Sequence, residues 1–199
     1  MSVNRRTQRD RSTTTRAALL AAARPLFAEH GFAAVGTETI VRAAGVTRGA
    51  LYHQFADKTE LFVAVYEQVA QEVAEQIALR LAELTDPSEL LRAGVDAWLE
   101  LSSAPDVQRI ALIEAPAVLG WERWRDAGQA SAMGLVEAAL NAVIAVGRIP
   151  QQPVRPLAHV LIGAIDEAAL FVARADDQAA ARAQMRAVLH AVLAGLERS

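Results

Sequence analysis

The side chains best suited to chemistry lie between residues 37 and 58, and that chemistry is contact with DNA. Arg48 carries a planar guanidinium fork that matches the O6 and N7 acceptors of guanine. Thr47, Gly49 and Ala50 stand beside it at the start of a short helix-forming stretch, where a helix end meets base edges in a major groove. Gly49 and Ala50 would let the backbone come close, and the Ala50 methyl could meet a thymine methyl. Tyr52 and His53 can reach phosphates. Tyr52 also suits a core aromatic with its hydroxyl at the rim, and His53 a plain surface residue. Lys58 stands at the start of a further helix, where the positive helix end attracts phosphate. Constellations for catalysis are missing from the sequence: no Gly-rich phosphate loop, no nucleophile elbow and no two-His metal motif. With no Cys, neither disulfides nor thiolate metal sites form. His30, His53, His159 and His190 have no metal-ligand spacing, and no cofactor is expected.

Two short helices must position these residues. Ile40, Val41, Ala43 and Ala44 supply an apolar face before Gly45-Val46-Thr47, and Ala50, Leu51 and Phe55 supply one after it. Gly45 suits the left-handed residue that ends a helix, and Thr47 the cap that starts the next. This is a helix-turn-helix pattern, whose second helix enters the major groove. Asp57-Lys58-Thr59-Glu60 then reads as a capping box. The helix it opens carries an apolar residue every four, from Leu61 through Val65, Val69, Val73 and Ile77 to Leu81.

The segment from Gly36 to Phe55 and just beyond resembles the helix-turn-helix of the TetR family of bacterial repressors. The resemblance rests on Ile40, Ala44-Gly45-Val46-Thr47, Gly49, Leu51-Tyr52, Phe55, Lys58 and Leu61. It implies DNA-contacting positions at Thr37, Arg48, Gly49, Ala50, Tyr52, His53 and Lys58. Residues 113–125, IEAPAVLGWERWR, are similar to a C-terminal pattern of one large group of TetR-type regulators. The family implies a double-stranded operator, a homodimer and a small-molecule effector.

Charge is distributed as that reading requires. The net charge of the 199 residues is −3, yet residues 1–60 hold nine Lys/Arg against five Asp/Glu, and the remainder eleven against eighteen. The phosphate-facing surface is therefore expected at the N-terminal end. Residues 1–12, with Arg5, Arg6, Arg9 and Arg11, read as a disordered basic arm. Such an arm either contacts the minor groove or is a solvated tail of general attraction.

Hydrophobic residues make up 53% and aromatics 5%, a balance rich in Ala that favours packed helices over a sheet. The expected fold is all-α. A helix-turn-helix domain at 13–60 is joined by one long helix, 58–83, to a larger helical ligand-binding and dimerisation domain at 61–199. Pro25 predicts a kink in the first helix, at 13–30, and Gly31 is expected to close it. Helices are expected at 87–103, at 106–115 with a stop at Pro116, from 119 to Gly147, at 154–174 and at 178–196. The helix at 154–174 is apolar on nearly every face, so a second subunit is expected to cover one side of it, together with the apolar face at 185–196. Trp98, Trp121, Trp124, Met133 and Phe171 are ordinary core one by one, but as a group suit an apolar ligand cavity, with Asp166 as a polar neighbour. His159 and Asp166, seven apart, share a helix face that is either solvated or turned to a cavity. No apolar run is long and uninterrupted enough to span a bilayer, so no membrane partner and a cytoplasmic location are expected. Two functions follow: a ligand-responsive DNA-binding repressor, and an all-helical enzyme or small-molecule carrier using the C-terminal cavity. The charge asymmetry favours the first.

Overall fold

The computed structural model describes residues 3–197. The fold is all-α, an N-terminal three-helix helix-turn-helix domain joined by a long helix to a larger helical domain. The helices are α1 (Val3–Ala34), α2 (Thr37–Ala44), α3 (Arg48–Gln54), α4 (Lys58–Leu81), α5 (Pro87–Leu101) and α6 (Pro105–Val107). A π-helical segment (Gln108–Glu114) follows, then α7 (Ala115–Leu119), α8 (Trp121–Ala145), α9 (Val154–Arg174) and α10 (Gln178–Leu196).

Side-chain caps set the starts of α3, α4, α5 and α10. Asp57 accepts from the Glu60 N–H at 2.8 Å, while the Glu60 carboxylate takes the Ala56 N–H, one residue before the cap. Asp86 accepts from the N–H groups of Ser88 and Glu89, both at 3.0 Å. It also pairs with Arg148 at 2.6 Å, which ties the loop after α8 to the start of α5. Those contacts, the Arg148 hydrogen bond foremost, push the Asp86 carboxyl down to about 2. Asp177 caps α10 by accepting from the Ala180 N–H at 3.0 Å.

Two expectations are corrected. The arm at 1–12 is helical from Val3 onward, with residues 1–2 outside the described range. As the glycine predicts, α1 breaks at Gly31 (φ 77°, ψ 164°), which takes positive φ without strain, and Pro25 lies inside the helix before it. The helix at 106–115 does not stop at Pro116 but runs on to Leu119 through the π-helical segment.

Proline chemistry accounts for that last difference. In the π register the Ala115 N–H donates to the Ile110 carbonyl, five residues back. The next carbonyl, Ala111, would need the N–H of residue 116, and proline has none. The indole N–H of Trp124 fills that vacancy, donating to the Ala111 carbonyl at 2.8 Å. Trp124 is 7% exposed, so the orphan carbonyl is buried, and a buried carbonyl left without a partner costs about 1–3 kcal/mol.

The interior forms two apolar clusters. One holds the N-terminal domain together and continues down α4 to Val73 and into the π-helical segment, so it crosses the boundary expected near residue 60. Phe27, Phe32 and Phe62 meet there, with Phe62 edge-on to both partners at 5.2 and 5.3 Å. The second cluster joins α5, α8, α9 and α10 through Leu99, Leu140, Leu161 and Leu189. Within the first cluster's elements, Arg24 of α1 bonds Glu72 of α4 at 2.5 Å and Asp106 of α6 at 2.8 Å, tying the first helix to both.

Helix α9, at 21 residues, is long and apolar enough by length and composition to cross a bilayer, contrary to the sequence expectation. It packs on α8 and α10. Ala158, Leu161, Ile162, Ala168, Ala169 and Val172 are buried there, as in a core helix. It is not buried all round within the chain, since Val160 is 67% and Phe171 48% exposed.

Candidate nucleic-acid interface and ligand cavity

The turn between α2 and α3 closes as its residue types dictate. Gly45 adopts φ 65°, the left-handed conformation, and the Val46 N–H reaches back to the Val41 carbonyl at 3.0 Å. Thr47 caps α3, its hydroxyl accepting from the Ala50 N–H at 3.2 Å. Leu51 and Phe55 turn into the core. The opposite face presents Thr47, Arg48, Gly49, Tyr52 and His53 to solvent, with Ala50 half-buried at its edge. A side chain added at Gly49 would meet only the Thr47 hydroxyl, at 4.0 Å, so the backbone there is open to a close approach.

Arg48, Tyr52 and Thr37 form one cluster across the two helices. The Arg48 guanidinium lies 5.6 Å from the Tyr52 ring centroid and 3.8 Å from Glu38. Its hydrogen bond to the Tyr52 hydroxyl, then that of Thr37, holds the phenol below its ordinary pKa. The pair with Glu38 is exposed and so contributes at most about 1 kcal/mol, little hindrance to a competing partner. His53 is exposed, its Nδ1 3.5 Å from the Gln54 amide nitrogen.

Lys58 is placed differently from the other seven. Its ammonium is turned inward, donating to the carbonyls of Phe32 at 2.7 Å and Val35 at 3.0 Å, and it sits 4.1 Å from the Phe32 ring centroid. It thereby clamps the chain that leaves α1 to the start of α4, with two of its three hydrogens committed. Lys58→Met keeps the stem and deletes the clamp. We expect a loss of about 1–2 kcal/mol of unfolding free energy, read by urea titration. An unchanged midpoint would show that water holds those carbonyls equally well.

A cavity of about 470 Å³ opens between α4, α5, the π-helical segment, α8 and α9. Of the six residues expected to form a ligand site, Trp98, Trp124 and Asp166 line it. The other three are not brought to it. Trp121 is 55% exposed and packs on Trp124 from outside, ring centroids 5.1 Å apart. Met133 is packed against the second apolar cluster, and Phe171 faces outward. His159 is also absent from the lining, so it does not share a cavity face with Asp166.

Two polar residues of the lining were missed by the sequence reading, Tyr66 of α4 and Arg125 of α8. The space itself comes from small residues, Ala70, Ala74 and Ala78 at four-residue spacing on α4 and Gly128 on α8. That spacing is readable in the sequence. Burial, opposed by the charge of Arg125, pushes the Asp166 carboxyl up to about 6. Burial first, then the charge of Asp166, pushes the Tyr66 phenol up to about 12. Among the described residues no three His, Cys, Asp or Glu side chains are grouped as metal ligands.

Comparison with known proteins gives consistent matches. A sequence model of bacterial regulatory proteins of the tetR family matches residues 19–65, and one of the tetracyclin repressor-like C-terminal domain matches 88–196. The HTH-type transcriptional regulator CymR of Pseudomonas putida is 36% identical over 96 residues, 48% of this chain and 47% of that protein. The chain thus spans about half the length of such curated relatives. The transposon Tn10 TetC protein of Escherichia coli is 25% identical over 194 residues, 98% of both chains. A crystal structure from Pectobacterium atrosepticum, of a TetR-family transcriptional regulator, superposes with a TM-score of 0.82 at 34% identity, covering 94% of this chain and 96% of that one.

Proposed function

The chain belongs to the TetR family of bacterial transcriptional regulators, and from that premise we propose that it represses transcription as a homodimer on a palindromic operator and releases the DNA when a small apolar or aromatic molecule fills its cavity. The observation that carries the reading is the solvent face of α3. Arg48, Gly49, Tyr52 and His53 stand outward on a short capped helix that turns Leu51 into the core, with Phe55 buried just after it. That is the placement a recognition helix needs to reach base edges and phosphates. Lys58 retains one hydrogen for a phosphate after making its two carbonyl bonds. The family assignment favours a regulator over an enzyme or carrier built on the same cavity.

Release follows from how the cavity is walled. Helix α4 lines it with Val69, Val73 and Ile77, and the same helix starts directly after the helix-turn-helix. The π-helical segment lines it with Ala111 and Leu112 and packs on α1 through its other side. A molecule that fills the cavity therefore bears on two elements that carry the DNA-binding end. It shifts the spacing of the two recognition helices only if it binds the two arrangements with different affinity. Operator must then weaken ligand binding by the same factor.

The test is a gel shift with DNA from beside the protein's own gene, with Arg48→Ala alongside. The parent is expected to bind a palindromic duplex. The variant should lose about 1–3 kcal/mol and relax discrimination at one base position. If Arg48→Ala ranks operator variants as the parent does, the base-contact role is wrong.

A further inference from the structure

The cavity contains a carboxylate with nothing to bond it. Asp166 sits midway along α9, and its helix neighbours toward the cavity are Ile162 and Ile165. No hydrogen bond to its carboxylate exists among the described residues. Arg125 acts on it by charge at a distance, without an ion pair. Asp166 is half-buried and lines the cavity, so its carboxylate meets that space with no donor from the described residues.

We propose that the ligand is an uncharged, largely apolar molecule carrying a hydroxyl group, which donates its hydrogen to Asp166. This rests on reading the cavity as the effector site. An anionic ligand would bring a second negative charge beside Asp166 in a poorly solvated space, which is costly. An ammonium would satisfy Asp166 but would add a second cation to a mostly apolar lining that already holds Arg125. A hydroxyl supplies the missing donor with no added charge. Its oxygen remains free to accept from the Tyr66 phenol, which lines the cavity from α4 and keeps its hydrogen at neutral pH, since burial raises its pKa to about 12. The rest of the ligand meets Val69, Val73 and Trp98, which recognise apolar or aromatic surface.

Four molecules of one shape separate these chemistries: naphthalene, 2-naphthol, 2-naphthoate and 2-naphthylmethylammonium. Each is titrated by calorimetry into the full chain at neutral pH, and into Asp166→Asn after its thermal unfolding has been checked. 2-Naphthol is expected to bind the parent about 10-fold or more tighter than naphthalene, the scale of a hydrogen bond to a charged group, with 2-naphthoate the weakest. Asp166→Asn should erase most of the discrimination against 2-naphthoate. The assignment is overturned if 2-naphthol binds no better than naphthalene, if either charged member binds tightest, or if none of the four binds. Repeating the 2-naphthol titration with operator present tests the other reading separately. Tight 2-naphthol binding that operator leaves unchanged upholds the ligand chemistry and removes the regulatory role.

Discussion

Val192→Glu is expected to convert a dimer into a monomer at micromolar concentration and to lower affinity for a palindromic operator by about 10²–10⁴-fold, the gain that linking two sites provides. Val160 and Phe171 on α9, and Val188 and Val192 on α10, are apolar and 46–67% exposed in the single chain. Four large apolar side chains exposed on two helices that pack together are a surface that water does not favour. A two-fold axis would bring Val192 of each protomer to that surface, and a glutamate there is left buried and unpaired. Leu161, on the same helix, is unsuitable for the experiment despite its place in the apolar run. It is 4% exposed and packs inside its own chain, so a charge there would damage the fold first. Sedimentation equilibrium gives the mass, and titration of palindromic and half-site duplexes gives the affinity. An unmutated protein that sediments as a monomer, or a Val192→Glu variant that remains a dimer, would sink the assignment of this face.

Asp166→Asn is expected to stabilise the chain at pH 8 by about 1–3 kcal/mol while changing it little near pH 4. The Asp166 carboxyl titrates at about 6 in the folded chain, against 3.8 for an ordinary aspartate. Between those values the folded state holds the proton more tightly than the unfolded state. The contribution of Asp166 to stability therefore falls as pH rises from about 4 to 6, and the loss is complete above 6. Two pKa units correspond to about 2–3 kcal/mol, part of which the buried amide of asparagine gives back. The measurement is the difference in unfolding free energy between parent and variant by urea titration at several pH values, at one protein concentration. A difference that stays flat from pH 4 to 8 would mean that solvent reaches Asp166 in the folded chain. A carboxylate kept at this cost suits a ligand contact better than a packing role.

The elements legible in the sequence are those whose cause is local. The turn between α2 and α3 needs only Gly45 in the left-handed conformation and Thr47 as a cap, and both interactions close within five residues. Helices α9 and α10 begin and end where the sequence places them, because Pro153 and Asp177 mark their starts. The outward set on α3 follows from the 3.6-residue period once Leu51 and Phe55 are inward.

What only the tertiary structure decided depends on partners far along the chain. Periodicity assigns Trp98, Trp121 and Trp124 to helix faces but cannot say which faces meet, so the cavity takes the first and third and leaves Trp121 outside. Lys58 was readable as a cation at a helix start. Its inward turn exists because the broken end of α1, 23 to 26 residues earlier, presents two carbonyls within reach. The π-helical register has a local half, the missing hydrogen of Pro116, and a distant half, the Trp124 indole that replaces it. Asp166 could be placed near aromatic residues by the sequence. Its want of a donor is a property of several elements packed around a space, and no single helix encodes it.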